Sequence, residues 1–302
     1  MENKVTVSAS PFIRSKETTA TIMQDVVIAL APAALFGVFR FGFRGFMVLL
    51  LSVTACVLAE HIYKRLRKKP SGGYECSAVV TGLLLGMNLS ADVPYWIPIV
   101  GGVFAIVVVK MLFGGLGRNL LNPALTAKCF LLLITGRIWT DFTVGKSAAG
   151  ESIGLYDMFF GFTDGMIGET SSFLLLLGGL YLVLCKVISI RIPMAYILSF
   201  VVFTGVFGDR GFDAEYLAMQ VCSGSLLLGA FFMTTDCTTS PITPKGKLVF
   251  GVFLGLLTGV FRVFGGAADG VAYAVMIGNL LVPLIERLTF PRSFGKGKRA
   301  NR

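Results

Sequence analysis

Long apolar blocks, each closed by a short cluster of glycine, proline or charged residues, follow one another from Thr18 to Ile285. Blocks of this kind read as membrane-spanning helices rather than as strands or a soluble core. The pattern predicts about ten of them. The first is capped by Thr18 to Thr21 and runs to about Phe39, where Gly42 and Gly45 break it. The others are expected at about Phe46 to Tyr63, Ser77 to Leu89, Trp96 to Phe113, Leu120 to Thr135, Thr170 to Ile188, Pro193 to Phe207, Leu217 to Met233, Leu248 to Phe261 and Val271 to Ile285. As a helix, Ser77 to Leu89 covers only about 20 Å of a hydrocarbon core about 30 Å thick, so a half helix facing a site is expected there. The domain plan is an arm over 1–20, one transmembrane domain over 21–289 with a long polar loop over 136–169, and a basic tail over 290–302.

A hydrophobic content of 55%, a mean hydropathy of +0.78 and only 15% charged residues exclude an ordinary soluble globule. The net charge of +10 does not point to nucleic acid, because the positive residues flank apolar runs instead of forming a basic face with exposed aromatics. They report topology. Lys64-Arg-Leu-Arg-Lys-Lys69 is the densest basic cluster and marks the cytoplasmic side. Both termini and most of the 27 lysines and arginines then fall on that side, and the 136–169 loop falls outside. The polar first twenty residues carry no cleavable signal pattern. The six cysteines lack metal-binding spacing and read as reduced packing residues.

Candidate chemistry lies where polar residues interrupt the pattern. Met233 to Gly251 carries Thr234, Thr235, Thr238, Thr239, Ser240, Thr243 and Asp236 between two apolar runs, with Pro241 and Pro244 forbidding continuation of the preceding helix. In a membrane such a segment must be buried in protein or line a wet cavity. Gly114 to Leu125 offers Gly115, Arg118, Asn119 and Asn122 beside a helix start, groups suited to close backbone approach and to a polar or anionic ligand. It lacks the Gly-Lys-Ser/Thr ending of a nucleotide loop. Gly165 to Ser172 places Glu169 and Thr170 at a helix entry, where simple capping accounts for them. Asp25, Glu75, Lys110, Lys128 and Asp236 are ionisable groups in or near apolar segments and therefore site candidates, with snorkelling as the competing account of Asp25 and Lys110. His61 reads as an interfacial residue. Gly82 to Ser90 and Gly229 to Asp236 resemble each other, and each half later closes on Phe-Gly-Gly, at Phe113 and Phe264. Copies five segments apart enter the membrane from opposite sides, which makes an inverted repeat with a site at its interface.

In this order and spacing, the Ile22-Met-Gln-Asp25 to Pro32 run, Gly114 to Leu125, Gly168-Glu-Thr-Ser171 and Met233 to Gly251 resemble the RnfD family, the D subunits of Rnf ion-translocating ferredoxin:NAD oxidoreductases. They are more distantly similar to the NqrB family, the B subunits of sodium-pumping NADH:quinone oxidoreductases. The resemblance implies an all-α polytopic fold of ten helices in two inverted five-helix repeats, similar to urea transporters. It further implies a bacterial cytoplasmic membrane, the A, B, C, E and G subunits as partners, coupling of electron transfer from ferredoxin to NAD+ with Na+ or H+ movement, and two flavins. One is FMN esterified to a threonine of the outer loop, and the other is a non-covalent riboflavin. The cofactor residues expected are Gly115, Arg118, Asn119, Asn122, Thr235, Asp236, Thr238, Ser240 and Thr243, with Ser147 nearest the FMN motif. No catalytic residue and no metal ligand is expected.

Two positions depart from the family. Ser147-Ala-Ala-Gly150 stands where a terminal threonine is expected, and Gly150 has no hydroxyl to esterify. Substitution by Ser147 or Ser152, a flavin held without a covalent bond, and loss of this cofactor are the outcomes this chemistry leaves. Phe12 stands where the family often has histidine. A channel or carrier for a small polar solute, and a flavin-free scaffold within the complex, are the competing readings.

Overall fold

The structure, a computed structural model, describes residues 18–68, 76–115, 117–136, 154–163, 165–265 and 270–291. Every regular element among them is helical, with one isolated antiparallel bridge between Ser90 and Met166. Helix α1 (Thr19–Leu66) begins on the expected cap: the Thr18 hydroxyl accepts from Thr21 N, and the Thr21 hydroxyl accepts from Thr18 N at 2.8 Å. It breaks at Gly42, whose φ of 64° and ψ of −147° only glycine adopts cheaply. Gly45 lies inside the second leg and breaks nothing. As one rod its 48 residues would extend about 72 Å, more than twice a bilayer core. Instead the chain turns back. Ile22, Met23 and Val26 of the first leg line the same cavity as Lys110, the partner of Glu60 near the end of the second.

Helix α2 (Ser77–Met87) is the expected half helix. Beyond Asn88 the chain leaves the helix, and its carbonyls need new partners. Ile167 N donates to Leu89 O at 3.0 Å and Gly168 N to Met87 O at 2.8 Å. The remaining elements are α3 (Trp96–Phe104), prolonged by wider π-type turns over Ala105–Met111, α4 (Pro123–Thr135), α5 (Leu155–Phe160), α6 (Ser172–Leu184), α7 (Arg191–Phe207), α8 (Ala214–Cys222), α9 (Leu226–Leu228), prolonged likewise over Gly229–Met233, α10 (Pro244–Val263) and α11 (Gly270–Thr289). The single helix expected over Leu217 to Met233 is thus two pieces bent by 66°. Arg262 pins the break, donating to Gln220 O and, at 3.0 Å, to Ser223 O. Pro244 does not merely end the preceding helix; it starts α10 behind the Thr243 cap, a turn before the expected start. At α6 the cap is Ser171 rather than Thr170.

By length and composition α1, α10 and α11 are long and apolar enough to cross a membrane, and the α8–α9 pair makes a fourth when taken as one span. Helices α2, α3, α4, α6 and α7 are shorter and also apolar. Their packing relies on close approach, since lipid removes the hydrophobic drive between helices. Gly251, Gly255 and Gly259, every fourth residue of α10, face α7; a Cβ on Gly251 would lie 2.8 Å from the Ile192 carbonyl oxygen. Gly82 and Gly86 of α2 face the second leg of α1 in the same way, and Ser52 Oγ donates to Gly82 O at 2.8 Å. Gly178 lets α6 meet the Ala29 carbonyl of the first leg.

Candidate functional site

Two of the polar interruptions meet. The chain before α4 has left-handed backbone at Gly114, Gly115 and Gly117, with φ between 88° and 116°, and then enters α4 at Asn122. Asn122 Oδ1 accepts from Ala124 N at 3.0 Å as the helix cap, while its Nδ2 donates to Met233 O at 3.2 Å, at the end of the turns that prolong α9. After Met233 the chain turns through Asp236, whose carboxylate accepts from Thr238 Oγ1 at 2.8 Å and from Thr238 N at 3.3 Å. Asn279 of α11 ties the two stretches together. With its amide oriented to satisfy both neighbours, it donates to Thr239 O at 3.3 Å and accepts from Asn122 N at 3.1 Å.

The result is a cleft with two chambers that share Asn119, Cys237 and Thr238. The inner one, about 70 Å³, is bounded by Ser77, Lys110, Asn122, Thr235 and Asp236, with Ile22, Met23 and Val26 also on its wall. The outer one, about 310 Å³, is bounded by Gly117, Thr239, Ser240, Asn279 and Glu286. That is the lower end of the roughly 300–1,000 Å³ range of small-molecule sites. Asn119 and Thr239 are more than nine-tenths buried; Asn119 Oδ1 finds no hydrogen-bond partner among the described residues, while the Thr239 hydroxyl lies toward the Asp236 carboxylate. Buried polar atoms without partners are costly, so Asn119 Oδ1 calls for a ligand or ordered water.

Asn119, Asn122, Thr235, Asp236, Thr238 and Ser240 are therefore brought together as expected. Gly115, Arg118 and Thr243, expected as cofactor residues, line neither chamber. Arg118 is exposed and folds over Gly114; Thr243 caps α10 and meets Thr289 Oγ1 at 2.6 Å. Ser147 and Gly150 fall outside the described residues. The cleft also uses Gly117 of the Gly114 to Leu125 stretch, and Asn279 and Glu286, which sequence reasoning missed. Asn279 had a signal, a lone amide within an apolar run; Glu286 had none.

The Gly168-Glu-Thr-Ser171 motif goes elsewhere, to the end of α2. Near it Lys128, 2% exposed, donates to Asn88 Oδ1 at 3.4 Å and approaches Met166 Sδ at 3.2 Å. Lys110 does not snorkel: it is 1% exposed and donates to Glu60 Oε2 at 2.5 Å. Asp25 accepts from the Tyr181 hydroxyl at 3.3 Å.

Half helices that end inside the protein, unwound chain satisfied by side-chain amides, and a polar cleft between them define a multi-pass helical membrane protein built around broken spans. The chain belongs to the NQR2, RnfD, RnfE family, whose sequence model matches residues 6–295. It is 40% identical to the D subunit of the Na(+)-translocating ferredoxin:NAD(+) oxidoreductase complex of Acetobacterium woodii, over 98% of this chain and 97% of that one. It is 36% identical to the D subunit of the proton-translocating ferredoxin:NAD(+) oxidoreductase complex of Clostridium ljungdahlii, over 97% of each. To the D subunit of the ion-translocating oxidoreductase complex of Actinobacillus succinogenes it is 33% identical, over 96% of this chain and 98% of that one.

Proposed function

We propose that this chain is the D-type membrane component of an Rnf complex that couples electron transfer from reduced ferredoxin to NAD+ with export of Na+ or H+, and that its cleft holds a non-covalent flavin. Family membership and similarity to three such proteins along nearly their whole length support the first part. The observation that carries the second is the convergence of the two motif stretches through Asn122 on a recess where the buried Asn119 Oδ1 has no partner among the described residues. An isoalloxazine offers an imide N–H for Asn119 Oδ1 and carbonyls for the Thr239 hydroxyl, so the donor set fits. When bound, a flavin passes electrons one or two at a time, and the protein contributes binding, orientation and field. Asn119 and Thr239 would hold the ring, and Thr238, Ser240 and Asn279 would line it. This chain supplies a part of the oxidoreductase and no complete active site.

We place both termini and the cleft on the cytoplasmic side of a bacterial inner membrane, with the A, B, C, E and G subunits as partners. Lys64, Arg65, Lys245, Lys247 and Arg287 lie at the ends of α1, α10 and α11, in line with a cytoplasmic face there. Ten crossings in two inverted repeats are supported by a correspondence between halves. Lys128 and Asn279 each stand fourteen residues after the first glycine of their Phe-Gly-Gly, and each serves a broken span, at Asn88 and at Thr239.

The test is flavin stoichiometry of the purified complex after an extraction that leaves covalent bonds intact. Asn119→Ala and Thr239→Val should each lower extractable flavin per complex, and the pair should remove one equivalent. Unchanged flavin in the double variant, with assembly intact, would refute the cleft reading.

A further inference from the structure

We propose that Glu60 and Lys110 form a proton relay that joins the rim of α1 at Lys64 to the inner chamber of the cleft. The Glu60 carboxylate is shared between two ammonium groups, one on each oxygen. Lys64 Nζ lies 2.7 Å from Oε1 and Lys110 Nζ lies 2.5 Å from Oε2. Lys110 also donates to Ser77 Oγ at 2.8 Å, and both of those residues line the inner chamber. The exposure gradient runs the right way. The Lys64 side chain is 21% exposed, that of Glu60 7% and that of Lys110 1%.

A purely structural role accounts poorly for this pair. Replacing a buried ion pair by apolar residues of similar volume is often neutral or stabilising, and ionisable groups inside a membrane protein mark functional routes by default. The contrast with Arg262, near the C-terminal end of α10, is informative. Arg262 donates to the carbonyls of Gln220 and Ser223 and pins a bend, a task for a side chain that stays charged. Lys110 instead faces a carboxylate on one side and a cavity on the other. At about 70 Å³ the chamber has room for roughly five waters, by the 10–15 Å³ that each requires. Asp236 lines the same chamber.

The transfer conserves atoms and charge. The Lys110 ammonium gives a proton through chamber water to the Asp236 carboxylate, breaking an N–H bond and forming an O–H bond. Glu60 takes a proton from Lys64 on Oε1, its carboxyl group turns, and that proton passes to the Lys110 amine. Lys64 regains its proton from bulk water. One proton has moved from the rim to the chamber, and no electron has moved. Sodium cannot take this route, because two of its three stations are amines. The relay rests on the preceding reading only for the identity of the reaction that consumes the proton.

The experiment uses the whole complex in liposomes, with ferredoxin as reductant and a pH-indicating dye on the side that Lys64 faces. Glu60→Gln keeps the shape and one acceptor oxygen, turns an NH2 donor toward the other lysine, and cannot shuttle. It should slow dye-detected uptake about a hundredfold, the low end of what a positioned acid or base contributes, and enlarge the solvent isotope effect. Glu60→Asp should restore most of the rate. The double variant Glu60→Leu with Lys110→Met removes both charges, so it guards against a folding defect in the single variant; it should assemble with an unchanged melting temperature and lack fast uptake. Parental uptake in the assembled double variant overturns the relay. So does failure of both Glu60→Gln and the double variant to assemble, which would make the pair a structural pin. Flavin content of the same preparations separates the two proposals. Full flavin with parental uptake in the variants refutes the relay alone, and absence of flavin from the parent refutes the cleft reading alone.

Discussion

Asn122 satisfies three backbone groups with one amide: its oxygen caps α4 by accepting from two N–H groups, and its nitrogen holds the Met233 carbonyl. Such a residue couples the two motif stretches because neither helix end can move without orphaning a donor or acceptor of the other. Its residue type and its place before Pro123 made it legible as a candidate, whereas Met233 O lies 111 positions away and could be found only in the fold. At the same scale, Gly150 bears on the proposal of a covalent flavin in the 136–169 loop. A phosphoester needs a side-chain hydroxyl, so the parent chain coexpressed with a flavin transferase should show no flavin fluorescence in a denaturing gel. Gly150→Thr supplies the hydroxyl after Ser147-Ala-Ala and should produce a fluorescent band. Fluorescence of the unaltered chain, traced by peptide mass to Ser147 or Ser152, would show that a neighbouring hydroxyl is used instead.

The elements are set by two kinds of interruption, those that end a helix and those that let helices touch. The first kind was largely readable: Gly42 breaks α1 and α2 stops at Met87 as a half helix, although Pro244, read only as a breaker, also opens α10. The bend between α8 and α9 was not, because nothing in Ser223-Gly-Ser225 outweighs the apolar run around it, and the bend depends on Arg262 reaching across from α10. The second kind sits in the glycine seam of α10. A side chain at Gly255 would collide with the Tyr196 carbonyl and with Phe200 N, which are backbone atoms and cannot swing away. Gly255→Leu should therefore cost at least the roughly 1–3 kcal/mol typical of overpacking, read as a lowered melting temperature of the detergent-solubilised protein. Val252→Leu, on the exposed face of the same helix, should leave it unchanged.

For the molecule as a whole the strongest expectation concerns sidedness. Lys68→Cys should react with impermeant thiol reagents only from the cytoplasmic face, and Ser147→Cys only from the opposite face; the reverse pattern would invert the threading and move the cleft outside. What the sequence determined by itself is what depends on local composition: a helical membrane protein, most of its segment boundaries, the break at Gly42, the half helix at Ser77 and the residue types offered to a ligand. Burial of apolar length and the conformational limits of glycine and proline act within a few residues, so they can be read in one dimension. The tertiary structure decided which interruptions meet. It sent Gly114 to Leu125 and Met233 to Gly251 to one cleft and Gly168 to Ser171 to the end of α2, added Asn279 and Glu286, and turned Lys110 from a snorkelling candidate into the partner of Glu60. Those outcomes rest on pairing buried polar groups across long sequence separations, and an unpaired donor, acceptor or charge carries no mark in the sequence of the partner that will satisfy it.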